Sequence, residues 1–244
     1  LLIDPDTEEI LYARNIHERL YPASLTKIMT CLLVLDALGA GTLTLDTVLT
    51  ASDLAVGLIP ADGSSAGIKP GEEMSVENLL YCIMLSSANE GCNILAEGVA
   101  GSIDAFVENM NAKAASLGCE DTHFANTNGL PDENHYTTAW DLYLITREAR
   151  THPEFMPLVN TIYYEVPATN LAEARKLRTT NYLISNWYTA GYVYKGAEGI
   201  KTGFTNASGY CLVASATRSG RSLLSVVMGA ERITLEDGTI LTQS

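Results

Sequence analysis

Three short clusters along the chain carry side chains able to move a proton or hold a carbonyl: Ser24-Leu25-Thr26-Lys27, Ser87-Ala88-Asn89 and Lys201-Thr202-Gly203. A serine hydroxyl is a weak nucleophile until a neighbouring base removes its proton, and Ser24 has no histidine beside it. A lysine three residues on can act instead, provided that its amine is neutral. Burial and nearby positive potential both lower a lysine pKa, and Lys27 in the first turn of a helix would feel the helix dipole and a second cation at Lys201. Ser87 can then bridge the amine and a leaving group as a proton relay. The Asn89 amide can orient Lys27 and hold a substrate backbone. The chemistry these groups suit is acyl transfer through a serine ester. That reaction also needs donors for a developing oxyanion, and the backbone N–H groups of Ser24 and Phe204 are the natural candidates. Gly203 leaves a strand edge open to an extended substrate.

These groups are useful only if the chain positions them. From Pro22 to Leu38 the apolar residues Leu25, Ile28, Met29, Leu32, Leu33 and Leu35 fall at helical spacing, closed by Gly39-Ala40-Gly41, which predicts a helix with Ser24 at its N-terminus. Lys27 then shares a face with Ser24. Further helices are predicted at Ser75–Leu85, Glu90–Ala100, Ile103–Leu117 and Thr138–Thr151, with Ser75, Ser102 and Thr137 or Thr138 as caps, so Ser87-Ala88-Asn89 lies between two helices. Strands are expected at Leu1–Ile3, Ile10–Ala13, Ile162–Val166, Gly199–Phe204, Tyr210–Thr217 and Leu223–Met228. Hairpins at both ends of the chain around a helical middle imply an α/β chain of the α+β type. One antiparallel sheet would be built by both termini, with an inserted helical lobe.

The 244 residues, 47% of them apolar, suffice for a substantial core in one domain. A net charge of −14 without any Lys/Arg run excludes a nucleic-acid partner. Cys31, Cys82, Cys92, Cys119 and Cys211 are scattered among apolar runs and read as buried small hydrophobes. They form no Cys-x-x-Cys pattern, and His17, His123, His135 and His152 form no metal-binding pair, so neither metal nor cofactor is expected. No stretch of about 18 uninterrupted apolar residues occurs, and the abrupt start at Leu1-Leu2-Ile3-Asp4 is expected of a processed or trimmed form. Gly63-Ser64-Ser65-Ala66-Gly67 has the form of a nucleophile elbow, but Pro70 and Gly71 forbid the helix such an elbow needs; it is expected to be a surface loop. Lys201-Thr202-Gly203 lacks the preceding glycine and following helix of a phosphate-binding loop.

Taken alone, Ser24-x-x-Lys27 also describes a capped helix with a solvated lysine. In this order and spacing, however, the three triplets resemble the signature of penicillin-binding proteins and serine β-lactamases. The wider sequence resembles the D-alanyl-D-alanine carboxypeptidases of low molecular mass. The likeness extends over Leu2-Ile3-Asp4, Tyr21-Pro22-Ala23-Ser24-Leu25-Thr26-Lys27-Ile28-Met29-Thr30, Gly63–Gly67 with Pro70-Gly71-Glu72, Asn128-Gly129-Leu130, His135-Tyr136-Thr137-Thr138-Ala139 and Gly199–Thr205. It implies a β-lactamase/transpeptidase-like fold with about five strands in its sheet. The whole chain would be a single catalytic domain, with residues 1–23 and about 151–244 forming the sheet lobe and about 24–150 the helical lobe. It implies Ser24 as nucleophile, Lys27 as base, and Ser87 and Asn89 as relay and orienting groups. Lys201 and Thr202 would contact a terminal carboxylate, joined by Gly203, Phe204 and Arg232 in holding substrate.

The implied substrate is a peptidoglycan stem peptide ending in D-Ala-D-Ala, outside the cytoplasmic membrane, with β-lactams as covalent inhibitors. Relatives commonly continue into a β-rich domain and an amphipathic membrane anchor that residues 1–244 do not contain, so membrane attachment is implied only through such segments. This chain has Phe204 and Asn128 where some relatives have histidine. A serine β-lactamase shares the triplets, but in its best-known class adds a Glu-x-x-x-Asn loop; Glu120 and Glu133 are followed at that distance by Phe124 and Thr137. A non-catalytic β-lactam sensor or cell-wall binding module is the remaining alternative.

Overall fold

The computed structural model describes residues 1–234 and 240–242. Strands β1 (Leu2–Ile3) and β2 (Ile10–Tyr12) form the opening hairpin. A 3-10 turn at Ala23–Thr26 leads into α1 (Lys27–Gly39). Then come β3 (Val48–Thr50), α2 (Asp53–Gly57), β4 (Glu73–Ser75), α3 (Val76–Leu85), α4 (Asn89–Ala100) and α5 (Ile103–Ser116). After α6 (Ala139–Ala149) and α7 (Phe155–Val159) the chain turns to strands: β5 (Tyr163–Val166), β6 (Arg175–Arg178), β7 (Lys201–Thr205), β8 (Gly209–Arg218) and β9 (Arg221–Ala230). The short β10 (Arg232–Thr234) and β11 (Ile240–Thr242) pair with each other.

The main sheet has five strands in the order β2-β1-β9-β8-β7, all antiparallel, so both ends of the chain build it. Ser219 (φ +53°) and Gly220 (φ +78°) turn β8 into β9 through a two-residue loop whose left-handed residues match the strand twist. β7 lies at the sheet edge, and its free side faces the 3-10 turn.

The sequence places apolar residues of α1 at helical spacing, and in the fold Ile28, Met29, Cys31, Leu32, Val34 and Leu35 are all buried. A helix apolar on nearly every side belongs in the middle, and α1 packs against α3, α4, α5 and α6. α6 also contacts β9, which joins helices to sheet. The caps are as expected: Ser75, Ser102 and Thr138 accept from the N–H groups of Asn78, Ala105 and Asp141.

β3, α2, β4, α7, β6, β10 and β11 are not among the expected elements, and two of the expected ones differ in form or place. The first helix is α-helical only from Lys27, because Ala23 takes φ +48° and the segment to Thr26 winds more tightly. The strand expected near Ile162–Val166 does form, as β5, but outside the main sheet, where it pairs with β6. Buried Glu72 pairs with Arg175 and so fastens that ribbon to the loop before β4. All five cysteines are buried and unpaired.

Candidate active site

The 3-10 turn that carries Ser24 is held from below. Thr26 donates through Oγ1 to the Ala23 carbonyl (2.8 Å), and His135 Nε2 lies 2.8 Å from the same hydroxyl. The Ala125 N–H donates to His135 Nδ1 (3.0 Å), so the ring carries its proton on Nε2 and donates it to Thr26. Burial lowers the His135 pKa to about 4, and protonating Nδ1 would also set it against an N–H that needs an acceptor.

The folded pKa is therefore below that of the unfolded chain, about 6.5. The unfolded chain takes up a proton that the folded one refuses, so this stabilisation is complete above about pH 6.5 and falls away towards pH 4. Urea unfolding at pH 7.5, 5.5 and 4.5 is expected to show a loss for the wild type that His135→Gln does not share, on the order of 3 kcal/mol. Parallel pH profiles would remove His135 from this role.

Lys27 is fully buried at the start of α1. Its Nζ lies 2.9 Å from Ser24 Oγ, 2.7 Å from Asn89 Oδ1 and 2.7 Å from the Asn128 carbonyl. Oδ1 and the carbonyl can only accept. A neutral amine has two N–H bonds, and donating both to these oxygens leaves its lone pair facing the Ser24 hydroxyl. Burial lowers the Lys27 pKa to about 8, partly opposed by Cys92 and Glu90. Desolvation, and not the helix dipole or Lys201 that the sequence brings forward, is what lowers it. Lys201 is itself lowered to about 7, first by burial and then by the charge on Lys27.

Ser87 completes a hydrogen-bonded row. Its hydroxyl donates to Ser24 Oγ (2.8 Å) and accepts from Lys201 Nζ (3.2 Å), which also donates to the Thr202 carbonyl (3.0 Å). Ser87 holds φ +59°, a strained value for serine that aims the side chain from the α3–α4 corner into the site. Thr202 shares a hydroxyl contact with Thr180. A Cβ on Gly203 would sit 3.1 Å from the Ser24 backbone N and 3.1 Å from the Pro22 carbonyl, filling the gap between β7 and the nucleophile's turn. Ser24, Ser87, Thr202 and Gly203 open into a cavity of about 420 Å³, with Tyr182 and Phe204 on its walls. Lys27, Asn89 and Lys201 are buried beside it. Arg232 is exposed on β10 and is not among the residues lining the cavity.

Several contributors were not legible in the triplets. The Asn128 carbonyl reaches Lys27 from the turn 126–130, where Asn126 Oδ1 accepts from the N–H groups of Asn128 and Gly129. Buried Glu90 fastens the loop 63–68 through Oε1, which accepts from Ser65 Oγ (2.7 Å), Ala66 N (2.8 Å) and Ile68 N (3.3 Å). That loop brings Ser64 to the cavity and its carbonyl to the N–H of Asn89. Thr180, Tyr182 and Tyr192 come from the segment before β7. A backbone carbonyl has no signature in sequence, whereas Glu90, adjoining Ser87-Ala88-Asn89, could have been suspected from its place.

A family model described as D-alanyl-D-alanine carboxypeptidase matches residues 1–232. The chain is 37% identical over 230 residues to the D-alanyl-D-alanine carboxypeptidase DacF of Bacillus subtilis, covering 94% of this chain and 56% of that protein. It is 37% identical over 232 residues to DacA of Escherichia coli, covering 94% and 55%. The chain thus spans about half the length of these curated relatives. Among solved structures, it is similar to the Streptomyces K15 DD-transpeptidase (TM-score 0.83, 29% identity, 93% of this chain and 87% of that one). The D-alanyl-D-alanine carboxypeptidase DacD of Francisella tularensis is also similar (TM-score 0.82, 30% identity, 93% and 64%).

Proposed function

The chain belongs to the D-alanyl-D-alanine carboxypeptidase family, and on that premise we propose that it removes the terminal D-alanine from peptidoglycan stem pentapeptides through an acyl-enzyme on Ser24. The observation that carries this reading is the unbroken row Lys27–Ser24–Ser87–Lys201, with the lone pair of Lys27 left for the Ser24 proton.

In the proposed reaction Lys27 takes the proton of Ser24 as Oγ attacks the carbonyl of the penultimate D-alanine. The backbone N–H groups of Ser24 and Phe204 receive the oxyanion. The terminal carboxylate lies against Lys201 and Thr202. Its negative charge favours the ammonium form of Lys201, whose charge in turn keeps Lys27 neutral. Ser87 then passes the proton to the departing amine. As the tetrahedral intermediate collapses, the C–N bond breaks and D-alanine leaves. Water releases the shortened peptide by the reverse relay. β-Lactams enter the same path and remain as esters on Ser24. Stem peptides lie outside the cytoplasmic membrane, which places the reaction there. Residues 1–244 are kept as one catalytic domain, and Arg232, which does not line the cavity, is given no part in holding the carboxylate.

The test is D-alanine release from a pentapeptide ending in D-Ala-D-Ala, with benzylpenicillin adduct formation on Ser24 followed in parallel. Release that Ser24→Ala abolishes is expected. A penicillin adduct without any D-alanine release would favour a β-lactam sensor, and fast penicillin turnover a β-lactamase.

A further inference from the structure

We propose that the aromatic segment before β7 is a docking site for an uncharged carbohydrate strand, so that the enzyme takes stem peptides still attached to glycan rather than free peptides; this rests on the function proposed above. Between Thr179 and Tyr194 no side chain is charged, in a protein of net charge −14. The same stretch holds Tyr182, Trp187, Tyr188, Tyr192 and Tyr194, all exposed, Tyr188 at 58%.

Three of the rings, Tyr182, Tyr188 and Tyr192, form a group, and Trp187 stands beside Tyr163. Tyr182 lies 6.5 Å from Tyr188 and 6.4 Å from Tyr192, while Arg178 covers one face of Trp187 at 4.4 Å and so sets that ring's orientation. Exposed aromatic surface of this extent marks a binding face. It is also continuous with the cavity, because Tyr182, Leu183 and Tyr192 line the space that Ser24 opens into.

Composition decides the occupant. Flat rings with wet hydroxyl edges suit a ligand that is apolar on its faces and hydroxylated at its rim, as sugar rings are. Asn186 and Thr189 add uncharged hydrogen-bonding groups in the same stretch. An anionic lipid surface is attracted by clusters of Lys and Arg; the stretch itself has neither, and the cations directly flanking it are Arg178, which covers Trp187, and Lys195. The substrate of the proposed reaction carries such a sugar polymer at the other end of its peptide.

The test compares one pentapeptide presented free and presented on a short glycan of N-acetylglucosamine and N-acetylmuramic acid. The wild type is expected to show a kcat/KM roughly tenfold higher on the glycan-linked form, the effect of about two stacked rings. Trp187→Ala/Tyr188→Ala should erase that advantage and leave the free peptide and benzylpenicillin acylation unchanged. Neither residue lines the cavity. Binding of an N-acetylglucosamine hexamer, read by Trp187 fluorescence, needs no turnover and therefore separates a failed docking site from a failed assignment of the reaction. Equal turnover of both substrates by the wild type, or parallel loss on both in the variant, overturns the proposal. Absence of hexamer binding overturns it too, as does binding to anionic phospholipid vesicles in place of the hexamer.

Discussion

Lys27→Ala is expected to slow acylation of Ser24 by benzylpenicillin by about 10²- to 10⁴-fold, the range that a general base contributes. Ser24 has two hydrogen-bonding neighbours, Lys27 Nζ and Ser87 Oγ, and Ser87 already directs its proton at Ser24. Only the amine can take a proton away. The fold should survive the change, since the loss has two opposing parts. Asn89 Oδ1 and the Asn128 carbonyl lose a donor, which is unfavourable in a buried site. A buried amine is also removed, and with it the desolvation that depresses its pKa.

The wild type should show a matching pH dependence. The folded pKa of Lys27 is lowered to about 8, so the ammonium form predominates below that pH and acylation should fall about tenfold per unit there, levelling above it. Intact-mass measurement of the Ser24 adduct against time, from pH 6 to 9, checks both statements. Acylation of Lys27→Ala within threefold of the wild type, or a flat wild-type profile, would refute Lys27 as the base.

Gly129→Ala is expected to cause the largest loss of stability of any single methyl added near the site. Gly129 has φ +91°, where an L side chain is strained, and its Cβ would lie 1.8 Å from the Ala23 carbonyl oxygen. Backbone cannot swing aside as a flexible side chain would. The destabilisation should reach about 3–5 kcal/mol, within the uncommon tail for single substitutions. Relief by movement would displace the Ala23 carbonyl that Thr26 holds, or withdraw the Asn128 carbonyl from Lys27. Acylation should therefore fall together with stability. Urea unfolding and the same adduct assay report the two effects, and a variant within 1 kcal/mol of the wild type that acylates normally would disprove this close approach.

The two substitutions probe different kinds of information. Lys27 was legible because a side chain of defined chemistry stood three residues from a serine. Gly129 stood in a recognisable Asn-Gly-Leu run, but nothing local says that its missing Cβ faces the turn of the nucleophile a hundred residues earlier. Its partner Asn128 acts through a carbonyl, which every residue possesses. Likewise, helical spacing located α1, but not the tighter winding over Ala23–Thr26, a turn that His135 meets through Thr26 from across the fold. β5 was visible as a strand from its residue types. Its removal to a separate ribbon came from pairing with β6, which Glu72 and Arg175 help to hold in place.

By itself the amino-acid sequence determined the class of fold, the antiparallel sheet made by both chain ends, and the three side-chain clusters with the reaction they suit. Those follow from hydrophobic period, capping residues and functional-group chemistry, all of which are local. Only the tertiary structure decided the state of the base and the surroundings of the cleft. Lys27 loses its proton readily because α3, α4, α5 and α6 pack around α1 and exclude water. The aromatic rim depends on where a loop without periodicity comes to rest against β7. Burial and long-range approach belong to the whole packed chain, and no window of sequence contains them.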